Sequence, residues 1–133
     1  IYIDEFIELR KSDVDHCIEY IRKNFSPDAD TDKEILNKLA FQIKGNVFRR
    51  VICDVSKLDF VRDATRVYLK NFCLSFLASL GARVFAVVTG ENEEKKKYYQ
   101  ELATEMSEII DEWNLQSGFF DDMDTAREWI VDK

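Results

Sequence analysis

Two short apolar runs, separated by one long helical pattern, constrain this chain more than any other feature. The first is Phe48-Arg49-Arg50-Val51-Ile52-Cys53-Asp54-Val55-Ser56, rich in β-branched residues and closed by Asp and Ser. The second is Ala82-Arg83-Val84-Phe85-Ala86-Val87-Val88-Thr89. Apolar runs of this length, bounded by polar residues, read as strands buried on both faces. Strand, helix, strand is a βαβ unit, whose crossover is right-handed in nearly every sheet. An α/β fold follows.

The segment from Ile1 to Lys11 has strand character in Phe6, Ile7 and Leu9. The next segment carries two competing patterns. Val14, Cys17, Ile18, Ile21 and Phe25 fall at helical spacing, with Ser12 or Asp13 placed to cap. Yet Cys17-Ile18-Glu19-Tyr20-Ile21 also suits a pleated surface, and Ser12–Asp15 suits a hairpin turn. Ser26-Pro27-Asp28-Ala29-Asp30 reads as a loop of turn formers. Thr31, with Glu34 three residues on, predicts a capping box. Ile35, Leu36, Leu39, Ala40 and Ile43 then form a buried stripe, and Gly45 is the expected left-handed stop.

Between Val61 and Leu80 the helical pattern is apolar over a wide arc. Val61, Ala64, Tyr68, Phe72 and Phe76 make one stripe, and Leu69, Cys73, Leu77 and Leu80 a second beside it. A surface helix needs only one, so the pattern predicts a second covering partner. Gly81 ends the helix. Another helix is expected from Glu91-Asn92 through Trp113, with Tyr99, Leu102, Met106, Ile109, Ile110 and Trp113 on its inner face. Glu101, Glu105, Glu108 and Glu112 lie off that stripe and should face water. Gly118-Phe119-Phe120 reads as a short strand. Asp122 or Asp124 then caps a last helix that buries Met123, Ala126, Trp129 and Ile130.

The totals narrow the function classes. A chain of 133 residues, 46% hydrophobic and 34% charged, makes one domain, 1–133, with an adequate core. A net charge of −7 argues against nucleic acid, whose phosphates reward basic surfaces. No apolar run approaches membrane-spanning length, so no membrane insertion is expected. No charged start followed by an apolar segment marks an export signal. Cys17, Cys53 and Cys73 are odd in number and widely spaced, neither a disulfide framework nor a metal site. Free thiols fit a reducing compartment, so a cytoplasmic location is expected. The lone His16 limits triad and zinc chemistry. No nucleophile–base pair stands out, so the expectation is a non-enzyme without cofactor or metal.

Several constellations have a plain reading beside a chemical one. Asp28-Ala29-Asp30-Thr31-Asp32 opens like a calcium loop, but Lys33 and Leu39 stand where Gly and the bidentate Glu belong. Asp13, Asp15, His16 and Cys17 sit in one short stretch and read better as a turn. Gly90 follows a strand but lacks a phosphate-loop pattern. In open α/β sheets, ligands collect beyond the carboxyl ends of parallel strands. Asp54, Ser56, Thr89 and Asp121 (with Asp122) occupy those ends, and Asp59, Arg62, Asp63 and Arg66 border the same edge. These eight are the candidate ligand- or partner-binding residues. The plain alternative is that such Asp and Ser residues cap helices and satisfy turns.

The pattern Val51-Ile52-Cys53-Asp54-Val55-Ser56, the long helix, and Gly81 to Val88 resemble the SpoIIAA-like small bacterial proteins of the STAS superfamily (sulfate transporter and anti-sigma-factor antagonist). The ending Phe120-Asp121-Asp122-Met123-Asp124-Thr125-Ala126-Arg127-Glu128-Trp129-Ile130 follows their closing signature: Phe, five residues, Ala, two residues, Trp and an aliphatic. The resemblance implies a mixed sheet with an N-terminal hairpin, central parallel strands and about four helices. The implied order is strand, strand, helix, strand, helix, strand, helix, strand, helix. It also implies a regulatory or protein-interaction module. Separately, the two apolar stripes of Val61–Leu80 lead to the expectation of a homodimer through that helix, unless a neighbouring helix of the same chain covers the second stripe. The antagonists' phosphorylated serine lies in an Asp-Ser-Ser-Gly turn. Phe60-Val61-Arg62-Asp63-Ala64-Thr65-Arg66 replaces that turn here, and no residue inherits the serine's role. The alternative is a carrier of a small apolar or lipid ligand, which related sheets enclose.

Overall fold

The structure, a computed structural model, describes residues 1–133. Six strands form one mixed sheet in sequence order: β1 (Tyr2–Ile3), β2 (Ile7–Lys11), β3 (Cys17–Arg22), β4 (Arg50–Asp54), β5 (Val84–Val88) and β6 (Gln116–Phe120). The first three are antiparallel neighbours. β3 to β6 are parallel, with Val51 opposite Phe85 and Asp54 opposite Val88 across the central pair. The α/β class and the βαβ unit are therefore as the two apolar runs require.

The competing patterns around Cys17 resolve as a strand. Leu9 pairs with Tyr20 and Lys11 with Ile18, and His16 closes the hairpin at φ 52°. Every residue of β3 except Ile21 is buried, because both faces of this strand are covered. That two-sided burial explains why its apolar residues do not alternate cleanly. Ile1–Lys11 is not one strand but two. Asp4 turns the chain by accepting the Phe6 and Ile7 amides at 2.7 and 3.0 Å.

Five helices pack on the sheet: α1 (Ala29–Asn46), α2 (63–79), α3 (Glu93–Glu105), α4 (Ser107–Trp113) and α5 (Met123–Ile130). Asp28, not Thr31, is the N-cap of α1, its Oδ1 accepting from the Thr31 amide at 2.8 Å. Gly45 lies inside α1, and Val47 takes the left-handed stop at φ 54°. The two added residues carry the chain to Phe48, 3% exposed, in the core. α2 runs as Asp63–Tyr68, a π-helical turn Leu69–Cys73, and Leu74–Ser79. A π turn adds a residue and rotates the inward face, so Thr65 faces in before it, Leu69 and Cys73 at its two ends, and Leu77 and Ala78 after it. This rotation is part of the wide apolar arc. The helix expected through Trp113 breaks at Met106, whose carbonyl accepts both the Ile109 and Ile110 amides; hence five helices rather than four. Asp122 caps α5 through the Thr125 amide.

α1 to α4 cover the face of the sheet that carries Ile18, Tyr20, Val51, Cys53, Phe85 and Val87. α5 alone covers the other, packing Ala126 and Ile130 on Cys17, Ile52, Val84, Ala86 and Val88. On that second face Glu19, 2% exposed, accepts from Arg127 at 2.8 and 2.9 Å and from Arg10 at 2.9 Å. Burial pushes the Glu19 carboxyl up, but those charged donors outweigh it and hold it below the usual range. No helix is long and apolar enough to cross a membrane.

Candidate functional site

The core under α1 to α4 is not filled. Between these helices and the sheet lies a cavity of about 210 Å³, and 21 of its 27 lining residues are hydrophobic. Strands contribute Cys53, Phe85, Val87 and Phe119, while the helices contribute Leu36, Leu69, Leu74 and Leu102. Native interiors rarely leave space larger than a water molecule. A void of this size gives up dispersion contacts and buried area that a better-fitting sequence would keep.

One end of the cavity is charged. Arg22, the last residue of β3, lines it, as do Asp32 of α1 and Arg62 and Thr65 at the start of α2. Asp32 is 5% exposed yet satisfied: it accepts from the Ser26 hydroxyl, from Thr65 Oγ1 at 2.6 Å and from Arg62 at 3.0 Å. Arg62 also donates to Ser26 Oγ at 2.9 Å, and its guanidinium lies 4.3 Å from the centre of the Phe25 ring. Arg22 is less well provided for. Its NH2 donates to the Asn24 carbonyl at 3.1 Å and lies 3.8 Å from Asp32, an ion-pair distance too long for a hydrogen bond. Its Nε is buried without a partner.

Phe25 and Phe60 line the same end, pack with tilted rings 4.9 Å apart and remain 41% and 50% exposed, which places them at the cavity's mouth. Gln116 and Ser117, at the start of edge strand β6, line the far end and are also exposed. The cavity thus crosses the sheet diagonally, from the carboxyl end of β3 under β4 and β5 toward the beginning of β6.

The eight residues expected at the strand ends divide. Asp54 and Ser56 cap their own turn: Asp54 Oδ1 accepts the Ser56 amide at 3.0 Å and its hydroxyl at 2.7 Å. Thr89 is 1% exposed and donates to the Gly90 carbonyl at 3.2 Å. Asp121 pairs with Lys96, Arg66 with Glu105, and Asp59 with Lys95 at 3.3 Å. Asp63 is exposed in the first turn of α2. Only Arg62 belongs to the charged end of the cavity.

Arg22, Ser26 and Asp32 are not among those eight, and Asp32 enters from the sequence only as part of the failed calcium-loop pattern. A signal did exist for Asp32. It stands three and seven residues before Ile35 and Leu39, so it shares their inward face. A carboxylate on a buried stripe demands partners. Arg22 closes an apolar strand in a similar way.

The three thiols offer no reactive group. Burial pushes Cys17 up to about 11 and Cys53 and Cys73 up to about 12. Thr65, the nearest hydroxyl to the switch position of the resembled family, is 5% exposed and committed to Asp32.

Outside the cavity, α2 shows water an aromatic row. Tyr68, Phe72 and Phe76 follow one another at 5.5 Å spacings, with Phe72 50% and Phe76 38% exposed. The other expected stripe, Leu69, Cys73, Leu77 and Leu80, packs inward.

Comparison of the chain with protein-family models, with characterised proteins and with solved structures finds no match.

Proposed function

We propose that this protein binds a small, largely apolar ligand inside the sheet–helix cavity, as a carrier or a sensor rather than an enzyme. The observation that carries this reading is the void itself, apolar along its length and reaching the surface beside Phe25 and Phe60. An engineered apolar cavity of roughly 150 Å³ stays dry and takes up benzene, and this one is larger, at about 210 Å³. A STAS-like regulatory role is compatible with ligand control, and the burial of Thr65 favours that over a phosphate switch.

Titration with neutral octanol, followed by amide NMR, tests the reading. The expected result is one saturable site whose shifts centre on Val87, Leu102 and Leu69. Shifts confined to the outer face of α2, or none at all, would refute it.

A second reading is a protein-interaction surface, favoured by the exposed Phe72–Phe76 row. It makes α2 the contact, whether with another protein or with a second copy. Leu69 is not the informative position for a dimer test, because its side chain packs against the core. Phe72 is.

A further inference from the structure

We infer that the ligand is a monoanionic, single-tailed amphiphile: a carboxylate of medium chain length, its head on Arg22 and its tail along Leu69, Val87 and Leu102. This rests on the cavity being a ligand site and adds which chemistry it selects.

The charge balance at the polar end points to an anion. Two guanidinium groups, Arg22 and Arg62, face this end against one carboxylate, Asp32. Arg62 takes that carboxylate with a direct hydrogen bond, and Ser26 and Thr65 also donate to it. Arg22 is left 3.8 Å away, its side chain 7% exposed, its Nε unpartnered, and one positive charge in excess. Buried charge without a hydrogen-bonded counter-charge is costly, and guanidinium offers five N–H donors in a planar fork that matches a carboxylate. A single carboxylate balances the excess. A phosphate monoester, carrying roughly −1.5 to −2 at neutral pH, would leave buried negative charge instead. An ammonium head would add to the positive excess, and an alcohol would leave it uncompensated.

The apolar part sets the tail. The cavity extends from Arg22 at the end of β3 along Val87 and Phe85 of β5 toward Leu115 and Gln116. That path crosses three inter-strand steps of roughly 4.8 Å each as well as the length of a five-residue strand, roughly 13 to 17 Å, so an eight-carbon chain fits between its ends. Nothing along that path other than the charged end presents an ionised side chain to the tail.

The experiment is calorimetric titration of the intact protein at pH 7 and physiological salt with octanoate, octanol, octylamine and octyl phosphate. Octanoate is expected to bind at one site, about tenfold or more tighter than octanol, as a charge-assisted contact requires. Octylamine is expected to be weakest. Arg22→Gln should lower octanoate affinity by about tenfold or more while changing octanol by no more than about threefold. Should that variant fail to fold, the four ligands on the unaltered protein decide alone. Octanol equal to octanoate would overturn the head-group assignment and leave the cavity reading standing. Octyl phosphate binding tightest would overturn the carboxylate. Absence of binding by all four would overturn both readings together.

Discussion

Ala103→Leu puts the void itself on trial. Ala103 is a half-buried residue of α3 that lines the cavity beside Leu102 and Met106. Leucine adds three carbons there. At about 0.8 kcal/mol per buried methylene, their transfer from water contributes at most about 2.4 kcal/mol. Fixing the longer side chain costs about 0.5–1 kcal/mol, and leucine is nearly as good a helix former as alanine. The net is a stabilisation of about 1–2 kcal/mol, because the added atoms enter empty space instead of displacing neighbours. For a domain of this size that raises the midpoint temperature by roughly 3–10 °C. Urea unfolding measures it, with an unchanged m value showing that the same surface is exposed. The variant should also bind octanol more weakly, since the ligand and the leucine compete for one volume. In a filled core the same substitution overpacks and costs about 1–3 kcal/mol. Destabilisation by about 1 kcal/mol or more would therefore refute the claim that the space is open.

Three further outcomes follow from other parts of the molecule. Glu19→Gln should destabilise by about 2–4 kcal/mol, below the upper range for buried pairs because Arg127 and Arg10 keep 32% and 44% of their side chains exposed. The folded Glu19 carboxyl lies below its unfolded value, so its contribution is present above about pH 4.3 and fades as pH falls through the folded value. Urea titrations from neutral to acid pH should show wild type and variant converging. Ellman's reagent should find no rapidly reacting thiol in the native protein and three after denaturation, as the buried Cys17 and Cys73 and the half-buried, cavity-lining Cys53, all raised, require. Phe72→Glu should leave stability within about 0.5 kcal/mol, as expected at a surface position. Light scattering on that variant reads the second function: if α2 mediates self-association, a concentration-dependent mass in the wild type disappears.

The frame of this fold is legible because buried parallel strands advertise themselves. Val51–Asp54 and Val84–Val88 are β-branched runs with helical spacing between them, and the closing Ala126 and Trp129 pattern marks the last helix. What stayed hidden depends on tertiary contacts. The break at Met106 has no proline or glycine to announce it, and the π turn at Leu69–Cys73 follows from how α2 must rotate over the sheet. The cavity is a property of side chains that fail to meet, and no run of residues records that. Its charged end was hidden for another reason. Arg22, Ser26, Asp32 and Arg62 come from two loops, a strand end and a helix, and only the parallel pairing of β3 with β4 brings them together. The strand-end carboxylates were the more visible feature, but most are spent on turns and on Lys95 or Lys96.

The most direct test of the ligand account is a crystal structure of the protein grown with octanoate brominated at its tail. The account predicts one anomalous bromine peak inside the cavity, among Phe85, Val87 and Leu102, and a carboxylate within hydrogen-bond distance of the Arg22 guanidinium. A bromine peak on the Phe72–Phe76 face, or a cavity that stays unoccupied at saturating ligand, would contradict it.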